Sequence, residues 1–168
     1  MTYSFGARSK GFMVGVHPSL VSIASEALER SPVDFGCSEP QTRTPTQQAE
    51  KVRLGYSKSL NGPHVIKPDG FGHALDLVPW IDGLFQWGDD QWRVHTRDGR
   101  TLKPFYDIAA VMREVSLEHK VPIRWGAVWD RPLGALPATA AGLEQAVAEY
   151  KVRHAGSDFL DGPHYELI

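Results

Sequence analysis

Residues 70–79 read Gly-Phe-Gly-His-Ala-Leu-Asp-Leu-Val-Pro, and this stretch decides how the chain arranges its chemistry. From His73 to Val78 the residues alternate as in a β-strand, which predicts that Ala74 and Asp76 share one face. A bare carboxylate that faces a protein core is costly. Asp76 therefore needs a partner, and a metal ion, a capping contact or a salt bridge would each supply one.

Helices and other short strands surround this strand along the chain. The apolar spacing, the prolines and the capping signals predict helices over 19–31, 45–54, 105–119 and 143–154. Strands are predicted over 33–37 and 121–125, and the segment 159–168 is predicted to form a turn and a strand. This order is typical of an α+β fold with a small antiparallel sheet flanked by helices.

The composition indicates one globular domain and excludes several classes of protein. A chain of 168 residues corresponds to a single domain, 1–168, of which 1–10 is predicted to be flexible. The net charge of −2 provides no field that would attract nucleic acid or hold the protein on a membrane. No apolar run is long enough for a transmembrane helix, and no signal peptide is recognisable. The single cysteine, Cys37, excludes an intramolecular disulfide framework.

A second polar motif, Asp-Gly-Pro-His at 161–164, supplies candidate partners for the Asp76 strand. Gly-Pro prevents a helix, so a turn brings Asp161 and His164 together. With His64, from a long turn-rich loop, Asp76 and His164 form a set of two histidines and one aspartate. Catalytic zinc uses sets of this kind and keeps a fourth position for water. Asp161 would then accept a proton from that water.

Each of these residues also has an ordinary structural explanation. A histidine in a loop is usually solvated, Asp76 can form a cap or a salt bridge, and Asp-Gly-Pro at 161–163 is a good turn signal by itself. His73 is a rival ligand, but its spacing of three residues from Asp76 places it on the opposite face of a strand. We therefore rank His73 below His64. Residue chemistry alone leaves the metal site and these alternatives open.

Taken together, the motifs resemble the peptidase M15 family, in its branch of phage L-alanyl-D-glutamate peptidase endolysins. Two motifs match the family pattern in full, Gly72-x-Ala74-x-Asp76 and Asp161-x-x-His164. The partial matches are Gly55-x-Ser57-x-Ser59, the stretch Glu39-x-x-x-Arg43-Thr44-x-x-x-Gln48 with one extra residue around Pro40-Gln41, Val16-His17-Pro18-Ser19-Leu20-Val21, and Ile123-Arg124-Trp125-Gly126-Ala127-Val128-Trp129. The likeness covers about residues 11–167, and the order of the motifs is preserved.

Two positions depart from the family pattern. The family places its first histidine ligand seven residues before the aspartate, where this chain has Asp69. We assign that role to His64 and treat 65–71 as an extended loop. The family's serine two residues before the histidine is Gly62 here, so a hydroxyl is missing. Loss of a group that orients a ligand can lower metal affinity or activity by about 10- to 100-fold.

The resemblance implies an M15/Hedgehog-like zinc peptidase fold with Zn²⁺ held by His64, Asp76 and His164. It also implies that Asp161 is the general base and that Arg43 binds a substrate carboxylate or the developing oxyanion. The implied function is cleavage of the L-Ala–D-Glu bond of peptidoglycan stem peptides by a phage or prophage endolysin that lyses its host. A D-Ala-D-Ala carboxypeptidase of the same family and a non-catalytic zinc-binding module are the alternatives.

The same resemblance implies where such an enzyme works and with what. It is expected to be made in the host cytoplasm without a signal peptide, and to reach the periplasmic peptidoglycan after release that depends on a holin. We expect a monomer with no separate cell-wall-binding domain. Neither nucleic acid nor a stable membrane association is expected.

Overall fold

The computed structural model describes residues 2–155 and 159–168. Its helices are α1 (Ala7–Phe12), α2 (Pro18–Arg30), α3 (Pro45–Arg53), α4 (Pro104–Glu118) and α5 (Ala140–Arg153), with a 3₁₀ turn at Leu133–Ala135. Its strands are β1 (Phe35–Gly36), β2 (Ala74–Asp76), β3 (Val78–Ile81), β4 (Leu84–Phe85), β5 (Val94–His95), β6 (Thr101–Leu102), β7 (Ile123–Trp125) and β8 (His164–Leu167). Small antiparallel sheets are flanked by helices, which confirms the predicted α+β class.

Helices α2 and α4 pack against each other in the core, and α5 packs against α4. Pro18 occupies the start of α2, and the His17 ring accepts a hydrogen bond from the Ser19 amide (3.2 Å), so the helix begins where the sequence predicts. The buried face of α2 is apolar and consists of Leu20, Ile23, Ala24, Ala27 and Leu28. No helix among the described residues is both long and apolar enough to cross a membrane.

The sheet that matters for the chemistry has the order β2-β8-β7, with β8 in the centre and both neighbours antiparallel to it. Asp76 lies directly opposite His164, and Glu166 lies opposite both Ala74 and Arg124. Side chains alternate along a strand, so these residues share one face of the sheet. The other face carries the fully buried residues Leu75, Trp125 and Tyr165. One face therefore belongs to the core, and the other presents the polar residues.

The predicted strand 73–78 forms two strands that belong to different sheets. Strand β2 ends at Asp76, whereas β3 begins at Val78 and pairs with β1 and β4. Between them, Leu77 donates its amide to the carbonyl of Pro163 (2.9 Å). Leu77 and Val78 are both apolar and fully buried, so the sequence pattern offered no signal that the chain changes sheets there.

Residues 2–10, from the segment 1–10 that was predicted to be flexible, pack in part onto the body of the protein. Helix α1 begins within it, and Phe5 is buried with its ring edge-on to Phe35 (ring centroids 5.9 Å apart). The hydroxyl of Ser9 accepts a hydrogen bond from the Cys37 amide (3.2 Å). The segment is short and only weakly apolar, so its contacts depend on strand β1, which is distant in sequence.

Candidate metal centre

Three predicted ligands from distant parts of the chain converge on one point. His64 lies in the loop that follows α3, Asp76 ends β2, and His164 begins β8. The Asp76 Oδ1 atom lies 3.3 Å from His64 Nε2 and 3.1 Å from His164 Nδ1. The two ring nitrogens are 3.3 Å apart. Tetrahedral zinc with bonds of about 2.0–2.1 Å separates its ligand atoms by about 3.3 Å, so the three residues fit this ion.

The outer nitrogen of each ring is held by an acceptor. His64 Nδ1 donates to the carbonyl oxygen of Gln41 (2.7 Å), and His164 Nε2 donates to Glu166 Oε2 (3.0 Å). With its proton on the outer nitrogen, each neutral ring turns a lone pair inward. Two lone pairs and one carboxylate oxygen thus face one another in a buried space, and a shared cation would satisfy all three. The only set of metal-ligating side chains of this kind among the described residues is His64, Asp76 and His164.

The ionisable groups of this centre influence one another strongly. Burial opposes ionisation of Asp76, but when the two rings are protonated on both nitrogens, the charge of His64 and the hydrogen bonds from both histidines hold the pKa of Asp76 well below the usual range. Burial lowers the pKa of His164, but hydrogen bonds to Asp76 and Glu166 outweigh it and raise that pKa to about 9. The lowered pKa of Asp76 and the raised pKa of His164 both indicate that the surroundings favour a positive charge between Asp76 and Glu166.

Asp161 lies beside the ligands, in the turn that leads into β8. Its amide donates to the Gly126 carbonyl (2.9 Å), and its own carbonyl accepts from the His164 amide (3.1 Å). A Cβ at Gly126 would overlap the Asp161 carbonyl oxygen and would lie 3.0 Å from His164 Cβ, so only glycine permits this approach. Burial, followed by the negative charge of Asp76, raises the pKa of Asp161 to about 6. Such a carboxyl can both take and return a proton near neutral pH.

Arg43 reaches the centre from the segment before α3. Its amide donates to the His64 carbonyl (3.0 Å), and its guanidinium lies 4.0 Å from Asp76 Oδ2. The same guanidinium donates to the side-chain oxygen of Gln48 (3.2 Å), and Gln48 donates in turn to the Ser57 hydroxyl (2.8 Å). A Cβ at Gly62 would lie 3.0 Å from the side-chain nitrogen of Gln48. The missing hydroxyl at Gly62 would therefore have pointed towards this network.

The ligands and Asp161 line an open cleft of about 700 Å³. One wall is aromatic, because the Trp129 ring stacks on Phe159 (interplanar angle 19°) and lies 5.3 Å from the His164 ring. Trp87 also lines the cleft and exposes 56% of its surface. The cations that line the cleft are Arg43, Lys51, Lys58 and Arg124.

Comparison with known proteins assigns the chain to a family. The family described as phage L-alanyl-D-glutamate peptidase matches residues 1–135. The chain belongs to this family. It is 30% identical over 130 residues to the L-alanyl-D-glutamate peptidase of Escherichia phage T5, an alignment that covers 77% of this chain and 84% of that protein. The protein is therefore a peptidase of the phage L-alanyl-D-glutamate type.

A solved structure extends the comparison to the end of the chain. The crystal structure of the Serratia marcescens L-Ala D-Glu endopeptidase ChiX resembles this protein with a TM-score of 0.65 and 28% identity. The match covers 99% of this chain and 91% of that one. The family match ends at residue 135, whereas the structural match extends to the region of Asp161 and His164.

Other residues considered at the sequence level lie away from the centre of this peptidase. His73 faces the opposite side of the chain and pairs with Asp69 (2.7 Å). Burial, together with the charge of Asp76, raises the pKa of Cys37 to about 12, so its thiol stays protonated near neutral pH.

Gln41 contacts both His64 and Asp76, and the sequence analysis did not identify it, since it belongs to no ligand pattern. The only signal was its position in the stretch that leads to Arg43.

Proposed function

We propose that this peptidase is a zinc-dependent endopeptidase that cleaves the L-Ala–D-Glu bond of peptidoglycan stem peptides. The observation that carries the proposal is the convergence of His64, Asp76 and His164, with Asp161 beside them, in the cleft of a protein that belongs to this family. Three protein ligands next to a carboxyl group of raised pKa are typical of a catalytic zinc site, whereas a structural zinc site is closed by four ligands.

In this proposal the ion is held by His64, Asp76 and His164. Zinc bound there supplies a Lewis acid that polarises the scissile carbonyl and makes water more acidic. Gln41 and Glu166 hold the outer nitrogens of the two rings and so keep both inner nitrogens free to bind. The Arg124 guanidinium, which is bonded to Glu166 (Nε to Oε1 2.9 Å), keeps that carboxylate in place.

Asp161 acts as the general base. Its ionised carboxylate takes a proton from the attacking water and passes it to the nitrogen of the leaving D-Glu residue. Its raised pKa matches this double role, because a carboxyl group of ordinary pKa would hold the proton too weakly to serve as the acid. The Arg43 guanidinium donates hydrogen bonds to a substrate carboxylate or to the developing oxyanion.

The cleft carries charges of both signs: Glu39, Asp76, Asp161 and Glu166 line it together with four cations, of which Lys51 pairs with Glu39 and Arg124 with Glu166. Arg43, Lys51, Lys58 and Arg124 line it, and a stem peptide that contains D-Glu carries free carboxylates. The aromatic wall of Trp129 and Phe159 provides an apolar surface beside the proposed ligand His164. These features support a peptide substrate whose carboxylates lie on the D-Glu side of the cleaved bond.

The proposed setting follows from the family. A phage enzyme of this type is made in the host cytoplasm, acts on periplasmic peptidoglycan after a holin-dependent release, and thereby lyses the host. We propose that the protein acts there as a monomeric, single catalytic domain. Its partner is the stem peptide.

Mass spectrometry of the products from purified Gram-negative peptidoglycan tests the proposal. The protein is assayed as purified, after removal of metal with a chelator, and after zinc is restored. We expect free stem peptides that begin at D-Glu in the first and third samples and none in the second. Loss of terminal D-Ala alone would contradict the proposed bond. Equal cleavage in the chelated sample would contradict metal dependence, and absence of all cleavage with zinc bound would contradict the enzymatic role.

A further inference from the structure

Gln41 is a buried side chain, 1% exposed, whose polar groups are all used. Its amide donates to the Phe12 carbonyl (2.9 Å), and its side-chain nitrogen donates to the Glu39 carbonyl (2.6 Å). Its two oxygens each accept a hydrogen bond from a proposed metal ligand. The main-chain oxygen accepts from His64 Nδ1 (2.7 Å), and the side-chain Oε1 accepts from the Asp76 amide (2.6 Å).

One residue therefore contacts two of the proposed ligands, which come from separate elements. Asp76 ends strand β2, which lies at the edge of its sheet, so a group other than a neighbouring strand must accept its amide hydrogen bond. His64 lies in a loop, and its ring orientation depends on what holds its outer nitrogen. Gln41 provides both bonds from one buried position.

We propose that Gln41 is a positioning residue that sets the distance between His64 Nε2 and Asp76 Oδ1. This inference rests on the proposed metal site and deepens it. The two atoms lie 3.3 Å apart although a loop separates His64 from strand β2, and Gln41 bonds to both residues, through His64 Nδ1 and the Asp76 amide. A site arranged in this way before the ion arrives binds more tightly, because less reorganisation is needed on binding.

The decisive variant is Gln41→Met. Methionine is similar in length and apolar, so it fills the buried space, leaves the main-chain bond to His64 and removes both side-chain bonds. The readout is the affinity of the metal-free protein for Zn²⁺, measured in competition with a chromophoric chelator. We expect binding about 10- to 100-fold weaker than in the unchanged protein. Equal affinity would overturn the proposal.

Gln48→Met is the matched control. Gln48 is also a glutamine that is 1% exposed, but it contacts Arg43 and not the ligands. We expect this variant to lose turnover and to keep the Zn²⁺ affinity of the unchanged protein. An equal loss of affinity in both variants would show that any buried glutamine near the centre has this effect, which would also overturn the specific role of Gln41.

A measurement on the unchanged protein remains informative if Gln41→Met fails to fold. In the metal-free protein, the Asp76 amide should exchange its hydrogen slowly, at a rate comparable to that of the Leu77 amide, which is bonded to Pro163. Exchange at the rate of an unstructured amide would overturn the proposal. Zinc bound without any peptide cleavage would contradict the proposed function and leave the role of Gln41 standing, so the two can fail separately.

Discussion

Two histidine–aspartate clusters lie on opposite sides of the stretch from Gly72 to Asp76. The first contains His64, His164 and Asp76, and both of its histidines are 5% exposed. The second contains His17, His73 and Asp69, with the two rings 5.5 Å apart and the side chain of Asp69 43% exposed. The residue types are the same, yet only the first cluster turns its ligand atoms towards one point.

The difference lies in the partners of the ring nitrogens. In the buried cluster, acceptors outside the centre hold the outer nitrogens, and both inner nitrogens face Asp76. In the exposed cluster, His73 Nε2 forms a hydrogen bond directly with Asp69, and His17 Nδ1 accepts a hydrogen bond at the start of α2. The comparison shows that histidine and aspartate form a candidate metal site only where other groups leave their lone pairs free and aligned.

Removing one histidine from each cluster is the strongest test of which cluster binds zinc. His64→Ala should abolish measurable peptidase activity, with a loss greater than the about 100-fold that removal of an outer partner causes. His73→Ala should keep the metal affinity and turnover of the unchanged protein. Zinc content after dialysis and rates on purified peptidoglycan provide the measurements. Loss of zinc from the His73 variant would reverse the assignment of the two clusters.

Asp161→Ala separates the base from the ligands within the buried cluster. We expect zinc to remain bound and turnover to fall by about 10²-fold or more, because the carboxylate that moves the proton is gone. Kinetics and zinc content are measured on the same preparation. Asp69→Ala, in the exposed cluster, is the matched control and should turn over normally. Unchanged turnover in the Asp161 variant would remove this residue from the mechanism.

Glu166→Gln weakens the outer support of His164. The substitution keeps the size of the side chain but removes the charge that holds both His164 and Arg124, so we expect metal affinity or activity to fall by about 10- to 100-fold. Glu26→Gln is a fair comparison, because Glu26 pairs with His119 on the surface (2.7 Å). If both variants bind zinc as the unchanged protein does, the orienting role of Glu166 is wrong.

The pH dependence of kcat/KM should report Asp161. Burial and Asp76 raise its pKa to about 6, and a bound dication lowers it again, so the acidic limb should lie at or below about 6. The base must be ionised to act, so activity is lost as the pH falls, by about tenfold per unit below the pKa. Rates on a soluble stem peptide between about pH 4 and 8, repeated with added zinc, exclude metal loss as the cause. A limb well above pH 7 would contradict the assignment.

The smallest effect is expected in the exposed cluster. Asp69→Asn removes the partner of His73, but exposed ion pairs contribute little to stability. We expect the thermal midpoint to shift by no more than about 2 °C and the zinc affinity to stay the same. Thermal unfolding with and without zinc measures both. A large fall in midpoint would show that this cluster holds the loop before β2 in place.

The sequence predicted the parts of the site that depend on local rules. Strand alternation placed Ala74 and Asp76 on one face, and the Gly-Pro turn placed Asp161 near His164. His64 was ranked above His73 by the strand spacing, and the resemblance supported that choice, since the loop that carries His64 has no period that fixes a direction. Gln41 could not be found, because its use depends on how a loop lies across a strand about 35 residues later.

The central position of β8 has a consequence for the order in which the protein becomes active. Asp76 and His164 are 88 residues apart in sequence, yet they are direct neighbours across the sheet. Contacts over such distances form late, because a long stretch of chain must first be closed. A growing chain that has left the ribosome only as far as α5 has two of the three proposed ligands and no central strand. The proposed zinc site can therefore assemble only after β8 has been synthesised and paired with β2.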